Sequence, residues 1–190
     1  NLNIGCPSRK VKSGNFGASL MAKPDQVARC IEAMKKACSL PITVKHRIGI
    51  DNLDSEVFLT DFVDKVASAG AMRFAIHARK AWLHGLNPKQ NRTIPTLNYE
   101  RVYQLQRDFP QLNFILNGGL TALNQIKEHT SHLNGTMIGR LAYEQPLLFQ
   151  SIDPWYLGTN TPPYNLETIL NNYFTYCQQA IEHGHKTNLV

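Results

Sequence analysis

The sequence predicts an α/β fold: a (β/α)8 TIM barrel, present here only in part, followed by the start of a C-terminal helical domain. Three observations carry this. Short apolar, β-branched runs alternate with helical patterns from Asn1 to Arg140. Cys6, Lys45, His77, Asn117-Gly118-Gly119 and Gly139-Arg140 stand at or just after the C-terminal ends of five successive strands. Polar groups at consecutive strand ends suit the single mouth of a barrel, whereas an open sheet gathers its ligand contacts at one switch point. No strand is followed by G-x-G-x-x-G, so a dinucleotide fold lacks its fingerprint.

Asn1–Ile4 reads as the first strand, and a polar loop rich in Gly, Lys and Ser runs on to Lys23. Pro24-Asp25 opens a helix whose apolar face is Val27, Ile31, Met34 and Cys38. Pro41–Lys45 is the second strand, and Asp54-Ser55 caps a helix that carries Val57, Phe58, Phe62 and Val66 and ends at Gly70. Met72–His77 is the third strand, with a long loop to Asn98. Helix Tyr99–Phe109 leads to strand Leu112–Leu116, and Thr121 is expected to cap a helix over Ala122–His129. Gly135–Ile138 is the fifth strand, followed by a short helix over Tyr143–Gln150. Five strands do not close an eight-stranded barrel, and the chain opens mid-pattern without a start Met or signal-peptide pattern, as a piece of a longer protein would. Pro154, Gly158, Pro162 and Pro163 mark a linker, and Asn165 caps a helix from Leu166 to His183 ended by Gly184. The expected division is therefore a partial barrel over 1–152, a linker over 153–165 and the start of a helical domain over 166–190.

Hydrophobic residues make up 43% and charged residues 18% of the 190 residues, which excludes disorder, collagen and mini-protein scaffolds. No apolar run is long enough to span a membrane. The net charge of +6 is uneven: residues 1–50 hold nine Lys/Arg against Asp25 and Glu32. A second cluster between Lys65 and Asn98 holds six bases and no acid. Such asymmetry suits a polyanion, either nucleic acid or the phosphate of a cofactor, although a merely soluble basic protein shows it too. Four cysteines without a C-x-x-C pair, and histidines without zinc spacing, predict a cytoplasmic setting, no disulfide framework and no metal. Cys30, Cys38 and Cys177 fall on helical patterns and read as small buried hydrophobes. Cys6, in a turn between Gly5 and Pro7, stands apart.

Asn117-Gly118-Gly119 and Gly139-Arg140 each join a strand to a helix, where glycine lets backbone N–H groups approach an anion and an arginine adds a bidentate donor. Phosphate sites of barrels lie in the loops after the last two strands. Lys45 and His77 are the usual solvated lysine and structural histidine when taken singly. In successive strand ends they become candidate mouth residues.

The segments Asn1–Pro7 and Gly14–Ala18 closely resemble the active-site loop of tRNA-dihydrouridine synthases. Thr43–Gly49, Ile76–Arg79, Asn117–Gly119 and Gly139-Arg140 are similar to that family's later motifs, in order. Arg79–Leu83, Gly85-Leu86 and Asn87–Lys89 resemble the A subfamily in particular. The resemblance implies strands four to eight of a flavin mononucleotide (FMN) barrel that reduces uridines 20/20a in the D-loop of tRNA, with NADPH as electron donor. It implies hydride delivery to uracil C6 and protonation of C5 by the Cys6 thiol. It assigns Lys45 and His77 to the flavin, and Asn117, Gly118, Gly119, Gly139 and Arg140 to its phosphate. Asn3 is implied to contact the uracil, Lys89 and Arg92 the tRNA backbone, with Arg9, Lys10 and Lys12 adding to the same field. A uridine in folded RNA must leave its stack to enter such a pocket. The resemblance carries no metal and no membrane, and a monomer is expected. Two rivals are an FMN barrel dehydrogenase acting on a free pyrimidine and a catalytically silent RNA-binding fragment. The basic loop and the helical segment favour RNA, since a free base needs neither.

Overall fold

A computed structural model describes residues 1–8, 14–160 and 165–187. Arg9, Lys10, Lys12, Pro162 and Pro163 lie outside the described residues. Residues Asn1–Leu141 form one compact unit and Ala142–Val190 a second.

In the first unit five strands make one parallel sheet in chain order: β1 (Leu2–Ile4), β2 (Thr43–Arg47), β3 (Arg73–His77), β4 (Asn113–Asn117) and β5 (Gly135–Met137). Helices α1 (Pro24–Ala37), α2 (Glu56–Ser68), α3 (Glu100–Asp108) and α4 (Leu123–His132) connect them. Strand order that never reverses is that of a barrel wall; a doubly wound sheet turns back at a switch point.

Each element follows from its residues. Pro24 starts α1 at a position where its missing N–H costs nothing, and Val27 and Ile31 form the buried face. The Ser55 hydroxyl caps α2 by accepting from the Phe58 N–H at 3.1 Å, and Leu59, Phe62, Val63 and Val66 bury its inner face. The core runs between sheet and helices through Ile4, Val44, Phe74, Ile76, Phe114 and Leu116, all fully buried. Phe74 and Phe114 are partners in register across β3 and β4, and their rings stack 5.7 Å apart. His46 points the same way: its ring lies 5.1 Å from that of Phe62 and 5.9 Å from that of Phe74.

The register also aligns the strand ends. Ile4 pairs with His46, Arg47 with His77, His77 with Asn117 and Asn117 with Met137. The residues that leave each strand therefore emerge on one edge of the sheet.

Several local expectations need correction. Cys30 and Cys38 are exposed: Cys30 lies off the Val27–Ile31 stripe, and Cys38 leaves α1 in extended backbone at φ −155°. Cys177 is only partly buried. Thr121 does not cap α4. Ala122 holds the N-cap position, and the Thr121 N–H and hydroxyl turn to Gln125 Oε1 at 2.9 and 3.2 Å.

In the second unit the short helix expected over 143–150 is replaced by a 3₁₀ turn, Pro146–Leu148, and helix α6 (Phe149–Leu157); the preceding short helix α5 (Arg140–Glu144) starts earlier. Helix α6 runs through Pro154 into the expected linker and stops at Gly158, whose φ of +65° supplies the left-handed cap. Helix α7 (Leu166–Glu182) begins as expected, with the Asn165 side chain accepting from the Thr168 N–H at 2.7 Å. No residue of α7 is buried, and Tyr173, Phe174 and Tyr176 stand more than half exposed. Among the described residues no helix is long and apolar enough to cross a membrane.

Candidate active site

A cavity of about 370 Å³ opens at the C-terminal edge of the sheet, within the first unit. Asn3 lines it from β1 and Cys6 from the loop that follows, Lys45 and Arg47 from β2, His77 from β3, Asn117 from the end of β4 with Gly118 and Gly119 just beyond, and Gly139 and Arg140 after β5. Arg92 and Pro88 contribute from the loop after β3, and among the described residues no acidic side chain lines it. Ten of the eleven candidate residues thus meet around one space. Lys89 is the exception: it sits exposed at the entry to the 3₁₀ turn Gln90–Arg92 and is not part of the lining.

The Cys6 loop is pinned at successive residues. Gly5 donates its N–H to Asn3 Oδ1 at 3.1 Å, the Gly5 carbonyl accepts from Arg47 Nε at 2.9 Å, and the Cys6 carbonyl accepts from the Ala18 N–H at 2.9 Å. The Asn3 carbonyl oxygen is thereby used within the loop, which orients its amide nitrogen as the remaining donor.

Lys45 reaches across the sheet and donates to Asn117 Oδ1 at 3.4 Å, while Asn117 Nδ2 donates to the Met137 carbonyl at 2.7 Å. Asn117 therefore spends both ends of its amide on steering the lysine and latching β5. Burial lowers the Lys45 pKa, and the neighbouring Arg47 lowers it further. His77 is pushed down to about 3 by burial first, with Arg47, Lys45, Arg79 and Arg140 adding repulsion. At neutral pH it is an uncharged ring that donates or accepts one hydrogen bond at each nitrogen.

Gly118 and Gly119 have φ of +111° and +74°, backbone that side chains rarely adopt. A Cβ on Gly118 would overlap the His77 ring, and one on Gly119 would come within 2.8 Å of the Tyr99 hydroxyl. That hydroxyl donates to the Gly118 carbonyl at 2.9 Å and sets the turn. A Cβ on Gly139, by contrast, meets nothing within 4 Å, so the space beside it is open.

With this geometry in place, the family described as Dihydrouridine synthase (Dus) matches residues 1–188. The chain belongs to the dihydrouridine synthase family. Proteins named tRNA-dihydrouridine(20/20a) synthase are similar to it throughout: that of Synechocystis sp. is 54% identical over 100% of this chain and 57% of its own length. Those of Shewanella oneidensis (48% identical) and Haemophilus ducreyi (50%) are covered over 56% and 57% of their lengths, and 99% and 97% of this chain. The chain thus spans little more than half the length of the curated relatives it matches.

Two residues stand without an assignment from the sequence: Arg47, which lines the cavity, and Asn91, which lies outside the lining. Arg47 follows Lys45 by two positions at a strand end, and strand alternation alone was enough to place both on one face. Asn91, completely buried beneath the Lys80–Arg92 loop, gives no comparable signal, because Asn in a Pro-containing loop ordinarily marks an exposed turn.

Proposed function

We propose that this chain carries the catalytic loop and the phosphate end of an enzyme that reduces uridine in tRNA to 5,6-dihydrouridine, completed as a barrel by further βα units. The observation that carries the reading is the convergence of Cys6, Lys45, His77, the Gly118-Gly119 turn and Arg140 on one acid-free cavity. Flavin mononucleotide fits that donor set. Two glycines in left-handed backbone leave no Cβ on the turn, Gly139 leaves open space and Arg140 adds a guanidinium, which together suit a phosphate. Lys45 supplies a cation for the electron-rich end of the ring system. FMN, when bound, would supply hydride-transfer chemistry toward uracil C6, with NADPH as its reductant.

The chain's own residues do the rest. Cys6 Sγ gives its proton to C5, and Asn3 Nδ2 donates to the uracil. Neutral His77 offers hydrogen bonds without competing for the anion that Lys45 and Arg140 attract. A thiol held on a loop with three backbone anchors is placed before substrate arrives, which is what proton transfer at one carbon requires.

RNA is the favoured substrate because the loop above the cavity presents unpaired cations. Lys65 pairs with Asp25 and Lys80 with Asp54, both at 2.7 Å, whereas among the described residues neither Lys89 nor Arg92 forms an ion pair. The test is Cys6→Ala in the full-length protein, with dihydrouridine in tRNA counted by mass spectrometry. Formation is expected to fall by at least about 10²-fold; unchanged formation removes Cys6 as proton donor. Turnover of free uracil in place of tRNA would shift the reading to a free-pyrimidine enzyme.

A further inference from the structure

Arg47 is 3% exposed, yet among the described residues no carboxylate pairs with it. Its hydrogen bonds go to three backbone carbonyls on separate segments: Nε to Gly5 at 2.9 Å, and Nη1 to Lys80 at 3.2 Å and to Asn91 at 2.9 Å. Gly5 directly precedes Cys6. Lys80 and Asn91 bracket the loop that carries Lys89 and leads into Arg92. Asn91 in turn has no free polar atom in its carboxamide. Oδ1 accepts from the Trp82 N–H at 2.7 Å, while Nδ2 donates to the carbonyls of Trp82 at 2.9 Å and of Leu86 and Asn87 at 3.3 Å.

We propose that Arg47 is a positioning residue that fastens the Cys6 loop and the 80–92 loop into one rim, so that the proton donor and the RNA-facing cations are placed by a single guanidinium. The proposal rests on the reading of Cys6 as proton donor and of the basic loop as the RNA contact. A rigid planar fork reaches several carbonyls at fixed angles, whereas the single Nζ of a lysine does not span them. Burial lowers the Arg47 pKa to about 10, which leaves it charged at neutral pH. A buried charge held only by carbonyls stays favourable while all of them are in place, so the two loops open together.

The Ala18 amide, bonded to the Cys6 carbonyl, and the Trp82 amide, bonded to Asn91 Oδ1, report the two loops separately by hydrogen exchange in the full-length protein. Arg47→Lys and Arg47→Met are each expected to speed exchange at both amides by about tenfold or more, while the amides of Phe74 and Ile76 in β3 stay protected. Asn91→Ala, which touches no Cys6-loop atom, is expected to speed exchange at Ala18. In dihydrouridine formation, Arg47→Lys is expected to lower kcat by about 10–100-fold and, because the 80–92 loop is released as well, to raise KM for tRNA. Faster exchange at one amide only, an unmoved Ala18 in Asn91→Ala, or full kcat in Arg47→Lys would overturn the proposal. If Arg47→Met loses protection in β3 as well, the lysine variant decides. Because exchange is read without turnover, failure of the strap and failure of the Cys6 assignment are distinguishable.

Discussion

Replacing Gly118 by alanine strikes the cavity where backbone and side-chain demands coincide. At φ +111° a residue with a Cβ carries backbone strain of about 1–3 kcal/mol. The same Cβ overlaps the His77 ring, and forcing such contact in a packed site adds about 1–3 kcal/mol. The Tyr99 hydroxyl holds the Gly118 carbonyl, so the turn is not free to swing aside. The total, about 2–6 kcal/mol, is a large part of what holds an ordinary domain folded. With a urea slope of about 2 kcal/mol per molar, the unfolding midpoint is expected to drop by about 1–3 M. Gly139→Ala is the control: with nothing within 4 Å of its Cβ, it is expected to move stability by less than about 0.5 kcal/mol. In a His77→Ala background the overlap disappears and only the strain remains, so Gly118→Ala then costs about half as much. An equal loss in both backgrounds, or no loss in either, would refute the derivation.

Two further outcomes are expected. His46, held at about 4, and His77, held at about 3, are both kept neutral chiefly by burial. The unfolded chain takes up their protons first as pH falls below the ordinary histidine value, so stability is full above about 6.5 and declines below it, by about 2 kcal/mol for each ring at pH 5. Urea midpoints at pH 7 and pH 5 check this, and a midpoint that rises on acidification contradicts it. In the full-length protein, Lys89→Ala/Arg92→Ala is expected to weaken tRNA binding and reduce the salt slope by about 1–2; an unchanged slope removes both residues from the interface.

The sequence by itself determined the order of the βα units and the residues at each strand end, because periods of 2 and 3.6 and the caps at Ser55 and Asn165 are local signals. From those strand ends the shared mouth was already legible, with ten of eleven candidate residues reaching it. Local pattern misled where a neighbouring element decided the outcome. Cys30 lies beside a buried stripe without joining it, and Pro154 sits inside a helix instead of ending one. Asn117 reads as a phosphate contact by its place in the chain, but its amide is committed to Lys45 and Met137 once β2, β4 and β5 stand side by side. The clearest case is Arg47. Its partners lie 42, 33 and 44 residues away, and no window of sequence contains them. Only the parallel register of β1, β2 and β3 brings the Cys6 loop and the 80–92 loop within reach of one side chain, because hydrogen-bond partners are chosen by proximity in space rather than along the chain.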